Sequence, residues 1–153
     1  MIRRAFHRLR SELHAILAAN LTPVGIGQAV GIGIFIGALP VYGVHLGVVI
    51  VVARLMRLNQ AVMYAAANIS NPFFAPFLIA AEIELGQYMR YGDAGVVDTS
   101  AFGHSFLETL KTAPDLFVSC IYGSVVLGVG LGLVLGPLAW GIALWRQGRQ
   151  VRQ

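Results

Sequence analysis

Apolar positions run almost without interruption from Val24 to Leu85, and polar residues are confined to short breaks. The clearest break lies inside Ala66-Ala-Asn-Ile-Ser-Asn-Pro-Phe-Phe-Ala-Pro76. Proline has no backbone N–H and moves the preceding residue away from helical dihedrals, so Asn71-Pro72 predicts the end of a helix. Backbone groups freed in hydrocarbon must be satisfied by protein or enclosed water. A break at this depth is therefore more typical of a functional element than of a plain span.

A similar break occurs about 30 residues earlier in the chain. Thr22 and Pro23 are suited to the N-cap and first position of a helix that continues along an apolar run to Leu39. Pro40-Val-Tyr-Gly43 interrupts that run, and an apolar segment resumes from Val44 to Ala53. Each half is shorter than the roughly 20 residues that cross hydrocarbon. The pattern predicts two proline-broken units in succession, either re-entrant hairpins or pairs of short helices.

Small residues recur at steps of four along the first run. Gly27 and Gly31 form one stripe, and Ala29, Gly33 and Gly37 form another on roughly the opposite face. Small residues at this spacing let membrane helices approach closely. Two opposite stripes predict a central helix with a neighbour on each side.

The remaining segments complete a predicted all-α fold. An amphipathic helix precedes the first unit, with one apolar face and one basic face. In one interpretation it lies on an anionic lipid surface, and in the alternative it packs on the rest of the protein or on a second copy. A third small stripe, at Gly128, Gly132 and Gly136, lies in a last apolar segment, for which we favour one tilted span over a hairpin. The predicted division is 1–20 amphipathic basic helix, 21–58 first broken unit, 59–90 second broken unit, 91–115 polar connection with a short surface helix, 116–145 C-terminal membrane segment and 146–153 basic tail.

Composition agrees with this pattern. The 153 residues are 57% hydrophobic and 12% charged, against roughly 25% charged in a soluble domain, and the mean hydropathy is +0.72. We interpret the chain as an integral membrane protein, a small Gly-rich helical bundle with the lipid bilayer as its partner. The net charge of +4 comes from basic clusters at both ends, which predict a multi-pass protein of the bacterial inner membrane with both termini cytoplasmic. The clusters are Arg3, Arg4, Arg8 and Arg10, which we expect at the membrane surface, and Arg146, Arg149 and Arg152.

Signals for catalysis and for nucleic-acid binding are missing from the sequence. The single cysteine, Cys120, has no partner for a disulfide or a thiolate metal site and reads as a packing residue. No nucleophile motif, phosphate loop or metal-ligand cluster is present, and the basic ends lack aromatic stacking residues. We therefore predict no enzymatic activity, no metal, no cofactor and no nucleic-acid partner.

Polar residues at the two breaks form the candidate site. If the units pack together, His45, Asn68 and Asn71 converge on one cavity, which Glu82 also lines. In the alternative interpretation the asparagines only cap broken helices and His45 bonds a backbone carbonyl. The predicted set is Pro40, Gly43, His45, Asn68, Ser70, Asn71, Pro72 and Glu82.

Glu82 is an acid in an otherwise apolar run, and such residues in a membrane are functional candidates. Glu84 points about 200° away from it on a helix, so the two cannot act as a facing acid/base pair. The alternative is that both lie near the headgroups, within reach of Arg90.

These motifs resemble an uncharacterised bacterial inner-membrane family, catalogued as domain of unknown function two-zero-six-two. The resemblance rests on Pro23, on Phe35-Ile-Gly-Ala-Leu-Pro-Val-Tyr-Gly43, on the Arg57-Leu-Asn59 step and on Ser70-Asn71-Pro72. It covers about residues 15 to 90, and the C-terminal half is similar only in being apolar. The family implies no settled activity. Some members look joined to glycosyltransferase domains, which implies a connection to envelope or lipid-linked sugar metabolism.

Two functions follow as hypotheses. The first is a transporter or lipid-translocating module that acts through the paired breaks. The second is a non-catalytic adaptor that docks an envelope enzyme such as a glycosyltransferase. In either case we expect a homo-oligomer held through Gly-xxx-Gly faces.

Overall fold

The computed structural model describes residues 21–40, 44–92 and 114–150, which form helices and short turns without a strand among them. The all-helical prediction is confirmed for these residues. The predicted amphipathic helix with its arginines Arg3, Arg4, Arg8 and Arg10, the surface helix of 91–115 and Gly43 lie outside them. The helices are α1 (Pro23–Ala38), α2 (His45–Leu55), α3 (Gln60–Ala67) with a 3₁₀ turn (Asn68–Ser70), α4 (Ala75–Tyr91) and α5 (Pro114–Gln150).

Helix α1 begins and ends where its sequence predicts. The side-chain oxygen of Thr22 accepts a hydrogen bond of 3.1 Å from the backbone N–H of Gly25, and Pro23 occupies the first turn. Leu39 is extended, with ψ of 139°, as expected for a residue that precedes a proline. The Thr22 cap and Pro23 therefore set the start of α1, and Pro40 sets its end.

A tight turn joins α2 to α3. Arg57 has a φ of 55°, a left-handed conformation that is uncommon for a residue with a side chain. The N–H of Leu58 donates to the carbonyl of Ala53 at 2.8 Å, which closes the end of α2. The buried side chain of Asn59 then accepts from the N–H of Val62 at 2.9 Å and caps α3.

Helix α1 lies between α3 and α5, as the two small stripes predict. A Cβ added at Gly33 would overlap the carbonyl oxygen of Met63, and one at Gly37 would overlap that of Ala67. On the other face, a Cβ at Gly31 would lie 3.0 Å from the carbonyl oxygen of Gly132. Gly33 contacts Met63 and Gly37 contacts Ala67, so the residue numbers increase in the same direction along α1 and α3, and these helices are parallel.

Helix α5 is one continuous helix of 37 residues and about 55 Å, which confirms a single C-terminal helix over a hairpin. It runs antiparallel to α1 through the third predicted stripe. It is also antiparallel to α4, because Gly86 meets the carbonyl of Ser119 and Gly123 meets that of Glu82. The residues that α5 buries are all small: Ser119, Cys120, Gly123, Ser124, Gly128, Gly132 and Gly136.

The large apolar side chains of α5 face outward. Leu133 is 71% exposed and Val134 is 65% exposed. This order is the reverse of a water-soluble fold, in which large apolar residues are buried. The most apolar 18-residue window of the segment Leu116–Arg149 has a mean hydropathy of 2.2, and 28% of that window is buried inside the protein. It is a candidate membrane span, and the bent pair α3–α4 qualifies as a second if it is counted as one span.

The α4–α5 contact predicts a specific sensitivity to a single methyl group. Gly123→Ala inserts a Cβ against the backbone of Glu82, and we expect it to destabilise the protein by about 1–3 kcal/mol through overpacking. Gly130→Ala, on the same helix with open space around it, is the control and should leave stability unchanged or raise it slightly. Thermal unfolding of the detergent-purified variants measures both. Equal melting temperatures would contradict the close crossing.

Candidate functional site between the two helix breaks

The two helix breaks lie beside each other in the bundle. Gly37, near the end of α1, contacts Ala67, the last residue of α3, so the helices stop at the same level. The second break turns the chain by 73° between Gln60–Ser70 and Ala75–Tyr91. The packing of α1 on α3 therefore brings together two breaks that are about 30 residues apart in sequence.

A pocket of about 260 Å³ lies where the breaks meet, and we call it the break pocket. Helix α2 contributes His45 and Leu46 from its first turn. The other lining residues come from α3 and the second break: Tyr64, Ala67, Asn68, Ser70, Asn71 and Pro72. Five of the residues singled out from sequence thus share one pocket, namely His45, Asn68, Ser70, Asn71 and Pro72.

Both asparagines also cap broken helices, as the alternative interpretation proposed. The Oδ1 of Asn71 accepts from the N–H groups of Phe73 at 3.0 Å and Phe74 at 3.1 Å. The Nδ2 of Asn68 donates to the carbonyl of Tyr64 at 3.0 Å. Each amide uses only one of its two polar atoms in these bonds. The NH₂ of Asn71 and the oxygen of Asn68 make no hydrogen bond among the described residues.

Helix ends add partial charges to the break pocket. Helix α2 begins at His45, which lines the pocket, so the positive end of α2 lies there, and its N-cap residue Val44 has no polar side chain to cap the first N–H groups. The 3₁₀ turn ends at Ser70 and brings a negative, carbonyl-rich end. The pocket therefore offers both donors and acceptors at close range.

An apolar groove adjoins the break pocket. It has a volume of about 730 Å³ and lies between α1 and α3, and we call it the α1–α3 groove. It shares Asn68 and Asn71 with the break pocket. Its other lining residues are apolar: Val30, Ile34, Val62, Ala65, Ala66, Ile69 and Phe74. A polar pocket and an apolar groove thus meet at two asparagines.

The structure separates Glu82 from this site. Glu82 lies seven residues into α4, about 10 Å beyond the break. Contrary to the prediction, it does not line the break pocket. Its side chain is fully buried against α5, where Oε2 lies 3.5 Å from the Sγ of Cys120 and Oε1 has no hydrogen-bond partner. Pro40, the last residue described before the gap at 41–43, is half-buried and does not line the pocket either.

The two glutamates point apart, as their spacing predicts. Glu84 is exposed and Glu82 is buried, so they form no acid/base pair. Arg90, proposed as a partner for both, donates to the Oγ of Ser119 at 2.9 Å. Among the described residues, no group of three His, Cys, Asp or Glu side chains could hold a metal ion.

Sequence reasoning missed several residues of these sites. Tyr64 lies one turn before Asn68 on α3, so helical spacing could have placed it at the pocket. The contact between Glu82 and Cys120 joins helices 38 residues apart, and no local pattern signals it.

Comparison with known families covers nearly the whole chain. Residues 6–152 match a family described as "uncharacterized protein conserved in bacteria", DUF2062. The chain belongs to this family. The DUF2062 match extends well beyond residues 15 to 90, on which the sequence resemblance rested, and includes α5. No curated protein and no solved structure gives a significant match. The description of the DUF2062 family names no activity.

The caps at the second break predict a measurable loss of stability. Asn71→Ala removes the acceptor for two N–H groups at the start of α4, and we expect a loss of about 1 kcal/mol. Asn71→Asp keeps a side-chain oxygen in the same place and should retain most of the stability. Thermal unfolding in detergent compares the two. A melting temperature for Asn71→Ala equal to that of the unaltered protein would show that this cap has no structural role.

Proposed function

We propose that this protein is a multi-pass protein of the bacterial inner membrane that moves a lipid across the bilayer, with the lipid headgroup in the break pocket. One observation carries the proposal: the polar break pocket and the apolar α1–α3 groove share Asn68 and Asn71. An amphiphile fits this pair of sites, with its head in the first and an acyl chain in the second. A soluble solute would leave the groove without a role.

The order of the helices supports a topology with both termini cytoplasmic. The bent pair α3–α4 and the long α5 each cross the membrane once, in opposite directions. Helices α1 and α2, of 16 and 11 residues, are too short to cross and form a re-entrant hairpin. Two crossings return the chain to its starting side. The basic residues Arg54, Arg146 and Arg149 then lie on the cytoplasmic side, in agreement with the positive-inside rule.

The chemistry of the break pocket suits a polar headgroup. Moving such a group through hydrocarbon without hydrogen-bond partners costs several kcal/mol. The break pocket supplies partners in the NH₂ of Asn71, the oxygen of Asn68 and the first turn of α2. Paired broken helices with exposed ends are the arrangement that membrane transporters use to bind polar groups.

A homo-oligomer stays part of the proposal. The glycines of α1 already contact α3 and α5 within one chain, whereas Gly47 on α2 has open space around it. We propose that a second copy packs on this face of α2.

Lipid movement can be measured in vesicles that contain the purified protein. Fluorescent phospholipids with an NBD headgroup label are bleached by dithionite only in the outer leaflet, so protein-dependent movement increases the bleached fraction above one half. We expect the double variant His45→Leu, Ser70→Ala to slow this movement by about thirtyfold or more, because two hydrogen-bond partners are removed and each costs about 1–3 kcal/mol. Glu84→Leu, an exposed change on α4 outside the pocket, is the control and should keep the full rate.

Three outcomes would contradict the proposal in different ways. Bleaching no faster than in protein-free vesicles would rule out movement of these lipids. Full movement by the double variant would show that the break pocket is not the path. Absence of movement together with co-purification of an envelope glycosyltransferase would favour the adaptor function.

A further inference from the structure

The carboxyl group of Glu82 is enclosed in the crossing of α4 and α5. The side chain is 0% exposed, and the thiol of Cys120 donates to its Oε2 with an S···O distance of 3.5 Å. Its Oε1 is buried and has no hydrogen-bond partner among the described residues. We propose that Glu82 and Cys120 form a proton-binding site, and that the bound proton holds α4 against α5. The site does not depend on lipid movement, because neither residue lines the break pocket or the α1–α3 groove.

No cation in the described part of the chain faces this carboxyl group. On α4, Arg90 lies about 12 Å further along the helix and donates to the Oγ of Ser119, and Glu84 is exposed. On α5, the titratable group beside Glu82 is the Cys120 thiol, which carries its own proton as a donor. The 3₁₀ turn, which α4 also contacts, has no charged residue. A carboxylate buried without a counter-ion takes up a proton instead of remaining charged.

A metal cation does not fit this place. It would need several further ligands, and no group of three His, Cys, Asp or Glu side chains occurs among the described residues. The hydroxyl groups of the crossing already have partners. Ser119 accepts from the guanidinium of Arg90, and Ser124 donates to the carbonyl of Ile121 at 2.9 Å. The ligand that suits the unpartnered Oε1 is therefore a proton.

Close packing of the two helices links proton binding to their contact. A Cβ added at Gly123 would overlap the backbone carbonyl of Glu82 itself, and one at Gly86 would overlap that of Ser119. Helix backbones therefore touch at the level of the carboxyl group and keep it from water. Once Glu82 loses its proton, the charge needs hydration, which requires α4 and α5 to separate locally. The packed crossing thus favours the protonated form, and the proton favours the packed crossing.

The start of α4 connects this site to the break pocket. The N–H of Ala75, the first residue of α4, donates to the carbonyl of Asn71 at 2.8 Å, and Asn71 lines the pocket. A shift of α4 away from α5 therefore moves one wall of the pocket. Control of lipid movement by the proton rests on the proposed function, whereas the proton site itself does not.

Infrared spectroscopy of the full-length protein in vesicles tests the proton site. At neutral pH we expect the C=O stretching band of a protonated carboxyl group, lost in Glu82→Gln and kept in the exposed control variant Glu84→Gln. The band should disappear as the pH is raised, together with a shift of the S–H stretch of Cys120, the only cysteine of the chain. Cys120→Ala removes the donor to Oε2 and should move the carboxyl band without abolishing it.

Thiol labelling tests whether the proton holds the helices together. The buried Cys120 reacts with N-ethylmaleimide only when α4 and α5 separate locally. Because the packed state binds one more proton than the separated state, rising pH favours separation. The labelling rate should then increase by up to about tenfold per pH unit beyond the increase from thiol ionisation. Glu82→Gln keeps the shape without the titrating proton, so it measures thiol ionisation alone.

Three results would overturn the proposal. Absence of a carboxyl band that depends on Glu82 would show that this group is ionised in the full chain. Equal labelling of the unaltered protein and Glu82→Gln at every pH would show that the proton does not hold the crossing. Loss of the band in sodium chloride but not in choline chloride would assign the site to sodium ions. None of these readouts uses lipid movement, so a failure of the proposed function would leave them unchanged.

Discussion

Direct contact between helix backbones is the constraint on which this fold depends. Glycine lets α1 touch α3 on one face and α5 on the other, and Gly86 and Gly123 do the same for α4 and α5. These contacts gain dispersion energy from many closely spaced backbone atoms, with little loss of side-chain entropy. They also set the relative heights of the helices. Because Gly37 reaches Ala67, the broken ends of the two units stop side by side and enclose the break pocket.

The same packing explains why large side chains point outward. The residues that α5 buries are glycine, serine and cysteine, and their close contacts leave no room for large side chains, so the large apolar residues of α5 cover its outer surface. In water such a surface would promote aggregation. In lipid it is the ordinary arrangement, because apolar side chains lose nothing by facing acyl chains. The observed burial pattern therefore supports the proposed membrane location.

Much of this fold was readable from the sequence where local rules apply. Thr22 and Pro23 predict the start of α1, Asn71-Pro72 predicts the break, and the small stripes predict which faces of α1 are covered. What the sequence could not reveal depends on distant partners. The position of Glu82 against Cys120 follows from the height at which α4 crosses α5, and no local spacing encodes that height. His45, Asn68 and Asn71 could be picked out because each lies within five residues of a proline that breaks a helix, whereas Tyr64 and Leu46 carry no such signal.

The proposed function requires that the two breaks face each other across one pocket. Cysteine cross-linking in native bacterial membranes tests it most directly, with the double variant H45C/S70C in a Cys120→Ala background and a short bis-maleimide. We predict rapid cross-linking within one chain, and little for the control pair H45C/E84C. Absence of a cross-link within the chain for H45C/S70C, with both thiols still reactive towards a monofunctional maleimide, would contradict it.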